Sequence, residues 1–128
     1  MRIAICAWES LHSIAVGGLA VHVTELAAGL ERAGHEVHVF TRRGPLQPAY
    51  ERIYGVHYHR VAHARHQDFV AEILDMNRAM IQAVWQAEDY IHEPFDVVHS
   101  HDWLTAPAGE WAKVGRQESE FQEHGQGE

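Results

Sequence analysis

Arg2-Ile3-Ala4-Ile5-Cys6-Ala7-Trp8 is the stretch whose reading decides the fold. No polar residue interrupts it between Ile3 and Ala7, so a strand built from it has no face suited to water. Strands with two apolar faces belong to parallel sheets covered by helices on both sides, whereas a half-solvated antiparallel strand alternates. Working outward, a polar loop runs from Glu9 to about Val16 and ends in Gly17-Gly18. Leu19, Val23, Leu26, Leu30 and Ala33 then recur at helical spacing, and Gly34 stands where a helix commonly ends in a left-handed residue. Glu36 to Thr41 is a second short strand around Val37, Val39 and Phe40. Arg42 to Tyr54 contains Gly44, Pro45 and Pro48 and reads as loop. Val56 to Ala62 predicts a third strand. A long helix fits Asp68 to about His92, with Phe69, Ile73, Met76, Met80, Val84, Ala87 and Ile91 on one stripe and Pro94 as its stop. Phe95 to Ser100 predicts a fourth strand, and a last helix begins at Asp102.

The order β-α-β-β-α-β-α is that of an α/β fold with a Rossmann-like parallel sheet. In a doubly wound sheet of order 3-2-1-4, strands one and four are neighbours whose connections leave to opposite faces, and ligands bind in the crevice at their carboxyl ends. Two loops therefore face one crevice, Glu9 to Gly18 and Ser100 to Thr105.

The remaining composition narrows the function. A chain of 128 residues is about one domain. Its formal charge of −8 argues against a nucleic-acid partner, which needs a basic face. No apolar run approaches the ~18 residues of a membrane span, and the amino terminus lacks a signal-peptide core. Cys6 is the one cysteine, which excludes a disulfide framework and predicts a cytoplasmic setting. Residues 1–109 read as a partial domain. From Glu110 to Glu128 apolar residues thin out, which predicts a polar, mobile tail. No fifth strand follows, so the chain reads as a fragment of something larger, with an open sheet edge that favours self-association.

Four groups of residues could carry chemistry. Gly17-Gly18 precedes a helix whose free N–H groups make an anion site, and glycine lets a phosphate approach the backbone. The same pair also serves as a plain loop-to-helix joint. The dinucleotide fingerprint G-x-G-x-x-G is absent, and Thr41-Arg42-Arg43 stands where a ribose-binding acid would end the second strand. His99 and His101 share one face of the fourth strand, and His101 and Asp102 fall at the crevice. Asp102 also suits the cap of the following helix. His57, His59, His63 and His66 suggest a metal, yet no carboxylate or thiol sits at a matching distance, and they read as surface imidazoles.

Val16-Gly17-Gly18-Leu19-Ala20-Val21-His22-Val23-Thr24-Glu25-Leu26, followed by Gly34-His35-Glu36-Val37-His38-Val39-Phe40, resembles the start of GT-B glycosyltransferases of family 4, the retaining glycogen/starch-synthase and sucrose-synthase-like group. Phe95-Asp96-Val97-Val98-His99-Ser100-His101-Asp102-Trp103 is similar to that group's D-V-V-H-x-H-D-W segment. The resemblance covers residues 1 to about 109. It implies a partial amino-terminal domain of a two-domain enzyme. The reaction moves a hexose from a nucleotide diphosphate sugar, the co-substrate, to a hydroxyl of a carbohydrate or small-molecule acceptor, with no metal and no further cofactor. Gly17 and Gly18 match the loop that touches the donor. His101 matches the active-site histidine on the transferred sugar, and Asp102 the acid beside it. Ala15 departs from the lysine of the glycogen-synthase pattern, which points to a general family member. The carboxyl-terminal domain, with its Arg/Lys pair and E-x7-E segment, is not in the sequence, so the resemblance implies a chain inactive alone. The alternatives are a non-catalytic sugar- or nucleotide-binding half-domain working with a partner chain, and a metal-binding histidine protein.

Overall fold

The computed structural model describes residues 1–10, 18–62, 67–101 and 105–112. Its elements are β1 (Arg2–Ala7), α1 (Gly18–Arg32), β2 (Glu36–Arg42), β3 (Tyr50–Ile53), β4 (Val56–Val61), α2 (Phe69–Ile91) and β5 (Val97–His101). Residues 106–112 add a short helical segment. The strands form one sheet in the order β3-β4-β2-β1-β5. All pairings are parallel except that of β3 with β4. The expected 3-2-1-4 order thus stands as β4-β2-β1-β5.

One strand is added, and it corrects the reading of residues 42–54 as loop throughout. β3 turns back onto β4 through Tyr54 and Gly55, with φ of 50° and 81°. Two consecutive positive φ values make a tight hairpin whose twist matches that of the strands. Gly55 suits the turn because a residue without Cβ adopts its φ of 81° without strain. Pro45 and Pro48 mark a real loop, but it ends before Tyr50.

Alternation along β1 divides the interior. Ile3, Ile5 and Ala7 join Val37, Val39, Tyr58 and Val23 of α1 in one cluster. Ala4 and Cys6 join Phe40, Phe95 and the apolar stripe of α2 in the other. Cys6 is fully buried, and burial pushes its thiol up to about 12, so it is core and not a nucleophile. The helices meet these faces differently. On α2 the buried residues Ile73, Met76, Met80, Val84 and Ala87 are those of the expected stripe. On α1 the fully buried residues are Ala20, Val23 and Ala27, while Leu26 is only half-buried. Small side chains let α1 lie close on the sheet, so the stripe is rotated from the larger residues that periodicity favoured.

The ends of the helices follow local chemistry. Asp68 caps α2 by accepting from the Val70 N–H at 3.0 Å. α1 stops as expected at Gly34, φ 98°. The Gly34 N–H bonds Glu31 O at 2.9 Å and the His35 N–H bonds Leu30 O at 3.2 Å, which satisfies two terminal carbonyls. The segment 106–112 crosses β5 at Gly109, where a Cβ would come within 2.2 Å of Ser100 Oγ. That segment carries buried Ala112, three residues into the stretch read as a tail, and residues 113–128 lie outside the described residues.

The sheet face under α2 holds an imidazole stack. His38 lies 4.2 Å from His57 and 5.1 Å from His59 between ring centres, and Phe40 lies 4.5 Å from His59, all nearly parallel. His38 Nδ1 and His59 Nε2 are 2.8 Å apart, and His38 Nε2 meets Glu36 Oε2 at 3.0 Å. The expectation of surface imidazoles fails here, because parallel pairing sets His38 beside His57 and Phe40 beside His59 on a covered face. His63 and His66 lie outside the described residues. Among the described residues no group of three His, Cys, Asp or Glu is placed to share a metal ion.

Burial lowers His38 to about 4 and His59 to about 3, and both lie below the ~6.5 of an unfolded chain. Below pH ~6.5 the unfolded chain therefore takes up protons that the fold refuses. The stability from the neutral rings is complete above that pH and is lost as pH falls through the two folded values. The melting temperature should drop steadily as pH is lowered from neutral, and His59→Phe should flatten that profile. An unchanged profile in the variant would contradict the stack.

Candidate functional site

The crevice forms where β1 ends, β5 ends and α1 begins. Register sets Ala7 beside His101, so both chains leave the sheet at one point. Beyond Ala7, Trp8 is held by Arg42 at the end of β2. The guanidinium sits 4.0 Å above the indole ring, and Nε donates to Trp8 O at 2.7 Å. An arginine is therefore packed where a dinucleotide fold would keep its ribose-binding acid. Ser10 is fully buried and pairs with Thr24 of α1 at 3.0 Å, while Thr24 in turn donates to Ala20 O. The phenol of Tyr58 bonds to both hydroxyls. The first part of the loop after β1 is thereby tied to α1 and β4.

His101 is the last residue of β5 and is half-buried. Its ring lies 4.9 Å from that of His22, one turn into α1, and its Nδ1 is 3.3 Å from His99 Nε2. The contact with His22 brings the amino end of α1, which Gly18 opens, next to the end of β5. Gly17 and Asp102 lie outside the described residues. His99 shares the face of His101 as expected, but it is exposed. β5 is an edge strand of the described sheet.

Two residues that hold this corner were not singled out in the sequence. Thr105 is buried, and its hydroxyl reaches both Cys6 O and His101 O at 3.0 Å. One side chain thus clamps the ends of β1 and β5 together. Asn77 is fully buried in α2. Its amide donates to Ile73 O at 2.8 Å and its Oδ1 accepts the Ala108 N–H at 2.9 Å. The first turn of the helical segment is therefore capped from another helix. The available signal was a carboxamide set within the Ile73–Met76–Met80 stripe, since a buried polar side chain needs partners.

Comparison with known proteins gives the architecture a family. A model described as a glycosyl transferase 4-like domain matches residues 17–118. The chain belongs to the glycosyl transferase 4-like family. An uncharacterized glycosyltransferase of Methanocaldococcus jannaschii is 41% identical over 105 residues, covering 82% of this chain and 26% of the relative. A glycogen synthase of Mycobacterium tuberculosis is 35% identical, over 83% of this chain and 29% of its own. A D-inositol 3-phosphate glycosyltransferase of Kineococcus radiotolerans is 34% identical, over 78% and 24%. The chain thus spans about a quarter of the length of the curated relatives it matches.

Solved structures agree on the fold. A sucrose-phosphate synthase from Thermosynechococcus elongatus superposes with a TM-score of 0.65 at 19% identity, over 91% of this chain and 30% of that one. The catalytic domain of starch synthase IV from Arabidopsis thaliana, bound to ADP and acarbose, gives 0.61 at 16% identity, over 84% and 29%. The domain is a glycosyltransferase GT-B half in part, as its motifs imply. Among the described residues no helix is long and apolar enough to cross a membrane.

Asn77→Ala tests the clamp at the corner. It leaves the Ala108 N–H buried without its acceptor, which costs about 1–3 kcal/mol. Urea unfolding should show that loss, and hydrogen exchange should quicken across 106–112. Unchanged exchange there would mean that the cap is not what holds the segment.

Proposed function

We propose that this chain forms part of the amino-terminal domain of a retaining glycosyltransferase that moves a hexose from a nucleotide diphosphate sugar to the hydroxyl of a carbohydrate or small-molecule acceptor. The observation that carries this reading is the His22–His101 contact, which joins the amino end of α1 to the carboxyl end of β5 in a chain of this family. In this scheme His101 donates a hydrogen bond to a hydroxyl of the transferred sugar. A neutral imidazole always carries one N–H, so the contact needs no charge. Gly17 and Gly18 present backbone N–H groups to the leaving diphosphate, where negative charge develops as the sugar departs. This reading assigns to Asp102 the cap of the helix after β5, a role that would fix the backbone carrying His101.

The leaving diphosphate needs charge stabilisation from more than one side, and a facing carboxyl-terminal domain would supply the rest. The chain alone, at about a quarter of the relatives' length, should position neither donor nor acceptor well enough to react. A cytoplasmic setting suits a chain whose single thiol is free and buried at Cys6.

Incubating the pure chain with labelled nucleotide sugars and oligosaccharide acceptors should yield no product, and adding a separately produced carboxyl-terminal domain should restore transfer. Robust product from the chain alone would overturn the proposal. Nucleotide binding with no transfer under either condition would favour a non-catalytic half-domain. In the complemented enzyme, His101→Ala should lower kcat by roughly a hundredfold with little change in Tm. A variant within a few-fold of the parent would remove His101 from the site.

A further inference from the structure

A groove of about 690 Å³ runs between the β4–β3 edge of the sheet and the second half of α2. It is remote from the crevice. His99 and His101 are in register with Ile5 and Ala7 on the α1 face, whereas the groove lies over the imidazole stack on the α2 face. Nothing in the proposed transfer uses it.

The hydrogen-bond pattern fixes what its floor presents. Glu36 is ion-paired with Arg2, whose hydrogen bond lowers its carboxyl from the usual range, so it only accepts. His38 Nε2 must then carry the hydrogen shared with Glu36, which leaves His38 Nδ1 as an acceptor. The hydrogen between the two rings therefore sits on His59 Nε2. His59 Nδ1 is left as a bare lone pair. His59 lines the groove, and this nitrogen has no partner among the described residues. Beside it, His57 Nδ1 and the Tyr50 hydroxyl are 2.6 Å apart.

Charge and shape then select the ligand. The charged groups at the rim are already matched, Glu36 with Arg2 and Arg60 with Glu51 at 2.8 Å. Burial keeps His38 and His59 neutral. Among the described residues the groove thus offers no unmatched cation for a phosphate or carboxylate. Its helical wall is made of Ala79, Ala83 and Ala87, which leave room, and of Gln82 and Gln86, whose amides both donate and accept. Tyr50 and Tyr90 stand at the rim with 51% and 88% of their surface exposed. Exposed aromatic faces, small apolar side chains and a few neutral hydrogen-bonding groups suit a ring with apolar C–H faces and a hydroxylated edge. We infer that this groove is a second saccharide site, which takes a neutral pyranose or short oligosaccharide and accepts one of its hydroxyl hydrogens on His59 Nδ1.

The test is a titration of the full chain with the neutral trisaccharide maltotriose, followed by ¹H–¹⁵N NMR of the backbone and imidazole nitrogens, with inorganic phosphate run in parallel. Maltotriose should shift amides of β4 and of residues 79–91 and move the His59 Nδ1 resonance. His59→Phe keeps a ring in the stack and removes the acceptor. Gln86→Ala changes an exposed helix position that should fold as the parent does. Each should weaken binding by at least about fivefold, the worth of one neutral hydrogen bond. No shift at the groove would overturn the inference. So would a response to phosphate but not to maltotriose, shifts confined to His22 and His101, or undiminished binding by Gln86→Ala and any folded His59→Phe. None of these outcomes bears on transfer at the crevice, which the complementation assay reads separately.

Discussion

Everything in this molecule depends on the burial of β1 between two strands and two helical layers. Its peptide groups are paired on both edges, by β2 and by β5, and its side chains are sealed on both faces. Ile3 and Ile5 anchor α1, and Ala4 and Cys6 accommodate α2. The small residues on the α2 side matter as much as the large ones on the other. They leave space for Phe40, Phe95 and two methionines in one layer. A strand so placed cannot shift register by one residue without exchanging its two faces, so it sets the register of its neighbours. The crevice is where this fully enclosed strand leaves the sheet.

Much of this was legible in the residues, because the strongest signals are local. The unbroken apolar run of β1, the α2 stripe and the glycine at the end of α1 each state one physical demand, and the structure meets each. The features that were not legible depend on contacts between distant segments. Tyr50–Ile53 looks unremarkable as a strand until β4 is beside it. Alanines on α1 carry little hydrophobic signal, yet close approach to Val37 and Val39 makes them the buried face. His57 and His59 read as surface residues, and their stack with His38 was not foreseen, because pairing register is invisible along a single segment. Asn77 needed knowledge of where Ala108 falls.

The site divides in the same way. Strand order alone put the ends of β1 and β5 at one crevice, and the register sets Ala7 beside His101 there. His101 stands at that corner, but its neighbour His22 came from the helix, and no motif spacing announced the contact. Thr105 is a further case. Its position shortly after the strand is readable, while its grip on two carbonyls from opposite ends of the chain is not. The residues that shape this corner are thus partly motif and partly scaffold, and the scaffold members carry no chemical signature of their own.

The central place of β1 also has a consequence for how the polypeptide is made. β1 leaves the ribosome before α1, β2, β3, β4 and α2, and the strand that covers its second edge begins only at Val97. The clamp from Thr105 to Cys6 spans 99 positions and comes later still. Until Val97 follows, this apolar strand has β2 on one side and a row of unpaired N–H and C=O groups on the other. Such long-range parallel pairing is slow to form, so the nascent chain carries an adhesive edge over that interval.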